Sequence, residues 1–276
     1  MTRPTPISTF GLRHVEIIAG RPIDTANARS ALAGLDAYGY QKLGLDRPHR
    51  LAQFIAQIMH ENGRFKYDRE LWGPTPAQKR YDTRTDLGNT AAVDGDGERY
   101  KGRAGIQITG KANYAAFTAW AKKIDPRAPD FVKNPDAVNT DPWEGMAALW
   151  YWEARNINAE ADRGDINRVT KVINGGQNGL ADRRALYVRT ALVLLGYGPE
   201  EVIRFQMNSG LSVDGVAGPV TVNALHHALL TTTPLASANP VAPSAAKPAL
   251  TSKTPYGIIG AIIMAAIAAY NYFVGG

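Results

Sequence analysis

The chain has 276 residues, 45% of them hydrophobic and 20% charged, enough for one sizeable core and a small second module. Cysteine is absent, which excludes a disulfide scaffold, a thiolate nucleophile and any Cys-based zinc site. A formal net charge of +6 favours association with polyanions, whether nucleic acid, anionic lipid or an anionic cell envelope.

The amino terminus, MTRPTPISTFGLRH, has neither an apolar h-region nor a small-residue cleavage site, so it reads as a tail over 1–14 and synthesis in the cytoplasm is expected. Ala26, Ala28, Leu32, Leu35 and Tyr38 predict an opening helix over 24–43, weakened by Gly39 and Gly44. From Arg47 to Asn62, Leu51, Phe54, Ile55, Ile58 and Met59 recur at spacings of three and four, which predicts an amphipathic helix with one buried face ending at Gly63. Residues 73–104 are rich in Gly, Pro, Asp, Thr and Asn and read as long loops around at most a short hairpin. The alternation Ile106, Gln107, Ile108, Thr109 fits a short strand. Helical character returns at Asn113–Lys123, Pro142–Asn156 and Ala181–Leu195, with a break at Asn174-Gly175-Gly176. The expected fold is therefore mainly α, a helical domain over 15–192 with a small β or loop region.

After Gly196 the composition changes. Pro199, Glu200 and Glu201 mark a helix start, Gly210 its end, and a second short helix begins near Thr221. Residues 231–255 are Thr, Pro, Ala and Ser with few large apolar side chains and read as a semi-extended linker. Tyr256–Val274 carries no charge over about one bilayer's worth of helix, with Tyr256, Tyr270 and Tyr272 at its ends, and is expected to be a transmembrane helix. Lys247 and Lys253 precede it and nothing charged follows. The positive-inside rule then puts the rest of the chain in the cytoplasm, tail-anchored to the cytoplasmic membrane. The stripe Gly257, Ala261, Ala265 and Ala269 could pair with another membrane helix.

Glu61 stands at the carboxyl end of its helix, where unpaired carbonyls supply negative potential and are expected to keep it protonated, as a general acid must be. The five histidines show no zinc-ligand spacing. Asp94-Gly95-Asp96-Gly97 shares its alternation with a calcium loop, but Gly105 stands where the bidentate Glu belongs, so a turn is expected and no metal or cofactor.

The stretches FIAQIMHENGRFKYDREL, YDTRTDLGNT, GDGERYKGRAGIQITGKANY and VTKVINGGQNGLADR, in that order, resemble glycoside hydrolase family 19, especially its phage and prophage lysins. The resemblance covers about 30–190. It implies a lysozyme-like helical fold, a cleft for N-acetylated glycans and an inverting mechanism. His60-Glu61 matches the family's His-Glu pair, which makes Glu61 the general acid and His60 a substrate contact. For the second carboxylate two positions compete, Glu70 and Asp82, with Arg64, Arg69, Arg80 and Arg84 nearby as ordinary salt-bridge partners. Gln107, Thr109 and Asn113 match positions that orient the attacking water and bond the sugar, with Thr109 as the water holder. Asn174 and Arg183 match cleft-lining positions. Where the family has Gly-Pro, this chain has Ala104-Gly105, a departure that bears on the local loop.

Residues 193–230, through VIRFQMNSGLSVDGVAGPVTVNAL, resemble a small three-helix peptidoglycan-binding module, shortened to one half-repeat. The expectation that follows is an endolysin cutting peptidoglycan glycan strands for host cell lysis, its 257–269 stripe pairing with a copy of itself or a holin, with no nucleic-acid partner. The alternatives are a chitinase acting on chitin oligomers and a non-catalytic, membrane-tethered wall-binding protein.

Overall fold

A computed structural model describes residues 2–236. The transmembrane helix expected at 256–274, and all of the expected linker beyond 236, lie outside the described residues. No helix among the described residues is long and apolar enough to cross a membrane.

The molecule is mainly helical. Residues expected as an N-terminal tail join the core instead: Phe10 is buried, the Ile7 N–H donates to the Leu194 carbonyl at 3.1 Å, and α1 (Leu12–Ala19) starts before residue 15. Phe10, Val15 and Ile18 supply the apolar anchors that hold it there. The opening helical pattern resolves into α2 (Thr25–Gly34), a π-helical turn over Leu35–Gly39 and α3 (Tyr40–Leu43). Asp24 caps α2 by accepting from the Ala26 and Asn27 N–H groups, which satisfies two of the orphan donors of its first turn.

The central element is α4 (Pro48–Glu61), which starts with proline in its first turn, where no N–H is needed. Sequence periodicity predicts one buried face. The structure buries every residue of α4 except Arg50 and His60, including the polar His49, Gln53 and Gln57. The apolar stripe was real, but a helix enclosed on all sides must also satisfy the polar groups on its other faces.

The loop region holds two single-turn helices, α5 (Pro76–Lys79) and α6 (Asp96–Arg99). Tyr81, Leu87 and Tyr100 join it to the core, and short buried polar side chains order the rest: Asn89 Nδ2 donates to the Tyr81 carbonyl at 2.7 Å, and Asn89 Oδ1 accepts from the Lys111 N–H at 3.0 Å. There follow α7 (Lys111–Ile124) and α8 (Trp143–Ala154). α8 presses against α2 so closely that a Cβ on Gly145 would lie 2.0 Å from the Ser30 carbonyl oxygen, which restricts this position to glycine. Trp152 of α8 meets Phe54 of α4 edge to face at 5.3 Å, a geometry worth about 0.5–1.5 kcal/mol beyond area burial.

Next come α9 (Asn158–Asp162), α10 (Ile166–Asn174) and α11 (Leu180–Leu194), the last packed along α4. The small module, expected as a three-helix type, consists of two helices over 193–230, α12 (Val202–Asn208) and α13 (Pro219–Leu230). Its α13 packs on α4 and α11, burying Leu225 and Leu229, so the neighbouring domain supplies the third layer. The short strand expected at 106–109 does not form. Gln107 has φ +57°, in the left-handed region, and the described residues contain only isolated bridges, among them Arg103 with Ile108.

Candidate active site

Glu61 is the last residue of α4, and the chain turns sharply behind it. Gly63, Arg64 and Phe65 all adopt left-handed backbone, with φ of 62°, 59° and 61°. Two of these are side-chain-bearing residues, so the turn costs free energy and persists only where surroundings enforce it. They do: Asn62 Oδ1 accepts from the Phe65 N–H at 2.7 Å, Asn27 Nδ2 donates to the Phe65 carbonyl at 3.0 Å, and the Arg64 N–H donates back to the Met59 carbonyl at 2.6 Å.

The Glu61 side chain is buried, and its Oε1 accepts from Nη2 of Arg183 on α11. The sequence expectation set this carboxyl against helix-end carbonyls, but the charged group it actually touches is a guanidinium. Because guanidinium nitrogens only donate, Oε1 is committed as an acceptor and an acid proton on Glu61 has to reside on Oε2. Arg183 is itself buried at 2% exposure and also donates to Gln57 Oε1 and, from Nε, to the Asn178 carbonyl at 3.4 Å. Gln57, one helical turn below Glu61, was not singled out by sequence reasoning. Its only signal in the sequence was its place one turn before Glu61, in a helix where Gln53 is an equally polar residue.

Beside Glu61, His60 shares a 2.7 Å hydrogen bond from Nδ1 to Oδ2 of Asp182, while Arg64 Nη2 donates to Oδ1 of the same carboxylate at 2.5 Å. The His60 bond, then that of Arg64, holds the Asp182 carboxyl down to about 2, against the opposing effect of burial. A carboxylate partner fixes the proton of a neutral His60 on Nδ1 and leaves Nε2 as an acceptor.

The second wall is built around Gly102. The Glu70 N–H donates to the Gly102 carbonyl at 2.8 Å, the Gly102 N–H donates to Glu70 Oε2 at 3.1 Å, and Gln78 Nε2 donates to Glu70 Oε1 at 2.9 Å. A Cβ on Gly102 would lie 2.2 Å from Gln107 Oε1 and 3.3 Å from Thr109 Oγ1, so Glu70, Gln107 and Thr109 converge on this glycine. The Arg103 and Ile108 N–H groups exchange bonds with each other's carbonyls, at 3.1 and 2.8 Å, closing a tight loop over Ala104–Gln107. Within it Gln107 Nε2 donates to the Ala104 carbonyl at 3.1 Å and Thr109 Oγ1 donates to the Gln107 carbonyl at 3.0 Å. Ala104, where the sequence departs from Gly-Pro, takes φ +62°. The two walls touch: a Cβ on Gly105 would lie 3.1 Å from Asn62 Nδ2. Burial, and after it the negative charge of Glu70, pushes the Tyr81 hydroxyl up to about 12.

Asp82 is placed differently. Its Oδ1 accepts from the Gly97 N–H at 2.8 Å and its Oδ2 from the Gly95 N–H at 3.2 Å, so both oxygens tie down the 95–97 turn. Asn113 Nδ2 donates to the Thr109 carbonyl at 2.7 Å, and Asn174 fastens its own loop by bonding the Gly176 N–H and the Asn178 carbonyl, each at 2.8 Å. Among the described residues no group of three or more His, Asp or Glu side chains is arranged to hold a metal ion.

The chain matches no protein-family model. A glycosyl hydrolase family 19 domain-containing protein of Haemophilus influenzae is 34% identical over 174 residues, covering 53% of this chain and 81% of that protein. An endochitinase of Arabidopsis thaliana is 29% identical over 147 residues, and the alignment spans 46% of its length, less than half of the plant protein. Among solved structures, chitinase C from Streptomyces griseus shares the fold with a TM-score of 0.51 at 18% identity, over 68% of this chain and 77% of that one. A bacterial family 19 chitinase does so with a TM-score of 0.52 at 21% identity, over 68% and 96%.

Proposed function

Since the chain belongs to glycoside hydrolase family 19, and is therefore a glycosidase of mainly helical fold, we propose that it hydrolyses peptidoglycan glycan strands by an inverting acid and base mechanism, as an endolysin does. The observation that carries this reading is the division of labour between two carboxyl groups. Glu61 is sealed against Arg183 at the end of α4, whereas Glu70 is clamped to Gly102 beside Gln107 and Thr109.

In this reading Glu61 delivers the proton on Oε2 to the leaving glycosidic oxygen as the bond breaks. Glu70 accepts a proton from a water entering on the opposite face of the sugar, and Thr109 Oγ1 and the Gln107 amide hold that water in line. The attacking water adds to the anomeric carbon with inversion. After the reaction Glu61 is ionised and Glu70 protonated, and exchange with solvent restores both. His60, Asn113 and Asn174 shape the surface on which N-acetylated sugars lie.

Three features support peptidoglycan as the substrate: the module at 193–230 with its resemblance to wall-binding domains, the net charge of +6, and the uncharged segment 256–274. That last segment anchors the enzyme to the inner face of the cytoplasmic membrane until lysis begins, with Lys247 and Lys253 on the cytoplasmic side. Protease added outside spheroplasts then leaves the catalytic domain intact, and digestion from outside contradicts this orientation.

Chitin is the second reading, favoured by relatives named as chitinases. Purified cell walls and a soluble chitin oligomer, each incubated with the enzyme, separate the two. Mass spectrometry of released muropeptides identifies the bond cut, and NMR of the first-formed anomer reports the stereochemistry. Cleavage of chitin alone removes the endolysin reading, and a product of retained configuration removes the inverting one.

A further inference from the structure

Glu61 reaches Arg183, but what holds Arg183 is a second line of buried groups that no reading of the reaction has used. Gln57 Nε2 donates to Oγ1 of Thr170 on α10 at 3.1 Å, and Gln57 Oε1 accepts from Nη1 of Arg183. Gln57 and Thr170 are both fully buried. The run Thr170, Gln57, Arg183, Glu61 therefore crosses from α10 through α4 to α11 and back to the end of α4.

The amide can sit in only one sense. Turned over, it would present an NH2 group to a guanidinium, donor against donor, in a place without solvent to relieve the clash. The donor-only guanidinium is what turns Oε1 toward Arg183, and the Thr170 hydroxyl anchors the other end of the amide by accepting from Nε2. Gln57 is also neutral. A carboxylate in its place would draw the guanidinium away from Glu61, and an apolar residue would leave Nη1 without its acceptor. Gln53, one turn further down α4 and just as buried, has a side-chain amide without a hydrogen-bond partner among the described residues, so these partners are particular to position 57.

We propose that Gln57, anchored by Thr170, is a positioning residue that fixes Arg183 and through it the general acid Glu61. This rests on the reading of Glu61 as the acid, but its test has a readout independent of cleavage. In protein labelled with 13C at the glutamate carboxyl carbons, the Glu61 resonance is identified by its loss in Glu61→Gln and followed through pH. In Gln57→Glu the Glu61 titration moves upward by about one pH unit, because a like charge now shares the guanidinium.

Thr170→Val, nearly isosteric, lowers kcat about tenfold while KM stays within about twofold, and Thr170→Ser restores it. Gln53→Leu changes neither reading. An unmoved Glu61 titration in folded Gln57→Glu overturns the assignment. So does Thr170→Val at parental kcat, which also decides the matter if Gln57→Glu does not fold. A parent that cleaves no glycan, with the Glu61 titration still moved in Gln57→Glu, refutes the function and leaves the positioning in place.

Discussion

Arg183 and Glu61 meet across 122 residues of chain with side-chain exposures of 2% and 3%, so the candidate acid is paired in a place from which water is excluded. This has opposite consequences for the two partners. Glu61→Gln keeps a carbonyl oxygen for Arg183 to bond and removes only the acidic proton. Loss of a general acid lowers kcat about 10²–10⁴-fold. A thermal melt close to that of the parent, alongside that loss in a wall or chitin assay, is the expected outcome, and full activity in Glu61→Gln would falsify its role.

Arg183→Met leaves the Glu61 and Gln57 oxygens buried without a donor. Breaking such a set costs about 3–5 kcal/mol. For a domain of this size that corresponds to a melting temperature roughly 10 °C lower. Glu61→Gln combined with Arg183→Met is expected to be less unstable than the two changes summed, since they share one contact. Urea unfolding of the four proteins measures the coupling, and strict additivity would show that the contact contributes nothing.

Glu70 and Asp82 both accept at each oxygen, and they separate by where those bonds place them: Glu70 on Gly102 with Gln107 and Thr109, Asp82 on the 95–97 turn. Asp82 accepts from two backbone N–H groups of the 95–97 turn, so Asp82→Ala is expected to lower stability by about 2–3 kcal/mol through lost charge-assisted bonds. Glu70→Gln keeps one acceptor for the Gly102 N–H while its NH2 replaces the oxygen that Gln78 bonds, and it is expected to lower kcat by two or more orders of magnitude, the scale of a lost general base. Asp82→Asn, which keeps one acceptor, retains most of the activity. If instead Asp82→Asn is inactive and Glu70→Gln is not, the base lies at position 82.

Much of this architecture was legible beforehand. The helix ending at Glu61 and those near 113–123, 142–156 and 181–195 follow from apolar spacing, because a packed helix must present its large side chains at intervals of three and four. α10 went unread although Ile166, Val169, Thr170 and Ile173 carry the same period, overshadowed by the turn signal of Asn174-Gly175-Gly176 that ends it. The 73–104 region could not be read, since Asp82, Asn89 and Asp96 order it through bonds to backbone groups and leave no periodic trace. Ile106 and Ile108 are both buried, as an alternating strand would have them, yet the left-handed Gln107 between them makes a loop. The partners of Glu61 were out of reach for another reason: Arg183 was named from resemblance, but its bonds to Glu61 and Gln57 depend on how α11 lies against α4.

Asp182 gives the acid side of the stability profile its sign. Its folded carboxyl is held at about 2 by His60 and Arg64, below the ordinary value of 3.8. The unfolded chain therefore takes up the proton first as pH falls. The stabilisation is fully present above about pH 4 and is lost as pH drops toward 2. Asp182→Asn is expected to flatten the change in unfolding free energy between pH 4.5 and 2, measured by urea titration at each pH. An equal slope in parent and variant would show that the His60 and Arg64 contacts do not survive in solution.

A second pH dependence lies where α13 meets α4. His49 Nε2 and Asp162 Oδ1 are 3.0 Å apart, Arg50 bonds both oxygens of Asp162, and His226 of α13 approaches the Asp162 carbonyl at 3.2 Å, with its ring 5.8 Å from that of His49. Burial pushes both imidazoles below 6.5. The charges of Arg50 and Arg47 push His49 the same way, and His49 and His227 so push His226, while Asp162 opposes the shift in each. Both rings are thus neutral in the folded protein at pH values where the unfolded chain has begun to bind protons. Their contribution is complete above about 6.5 and declines as pH falls through the lower folded values. Amide exchange in α13 is expected to accelerate between pH 7 and 5, after correction for the intrinsic rate, while that of α7 does not. His226→Gln removes one of the two titrating rings and is expected to weaken this dependence. If α13 and α7 respond alike, or the variant keeps the parental slope, the histidines do not govern how the module is held.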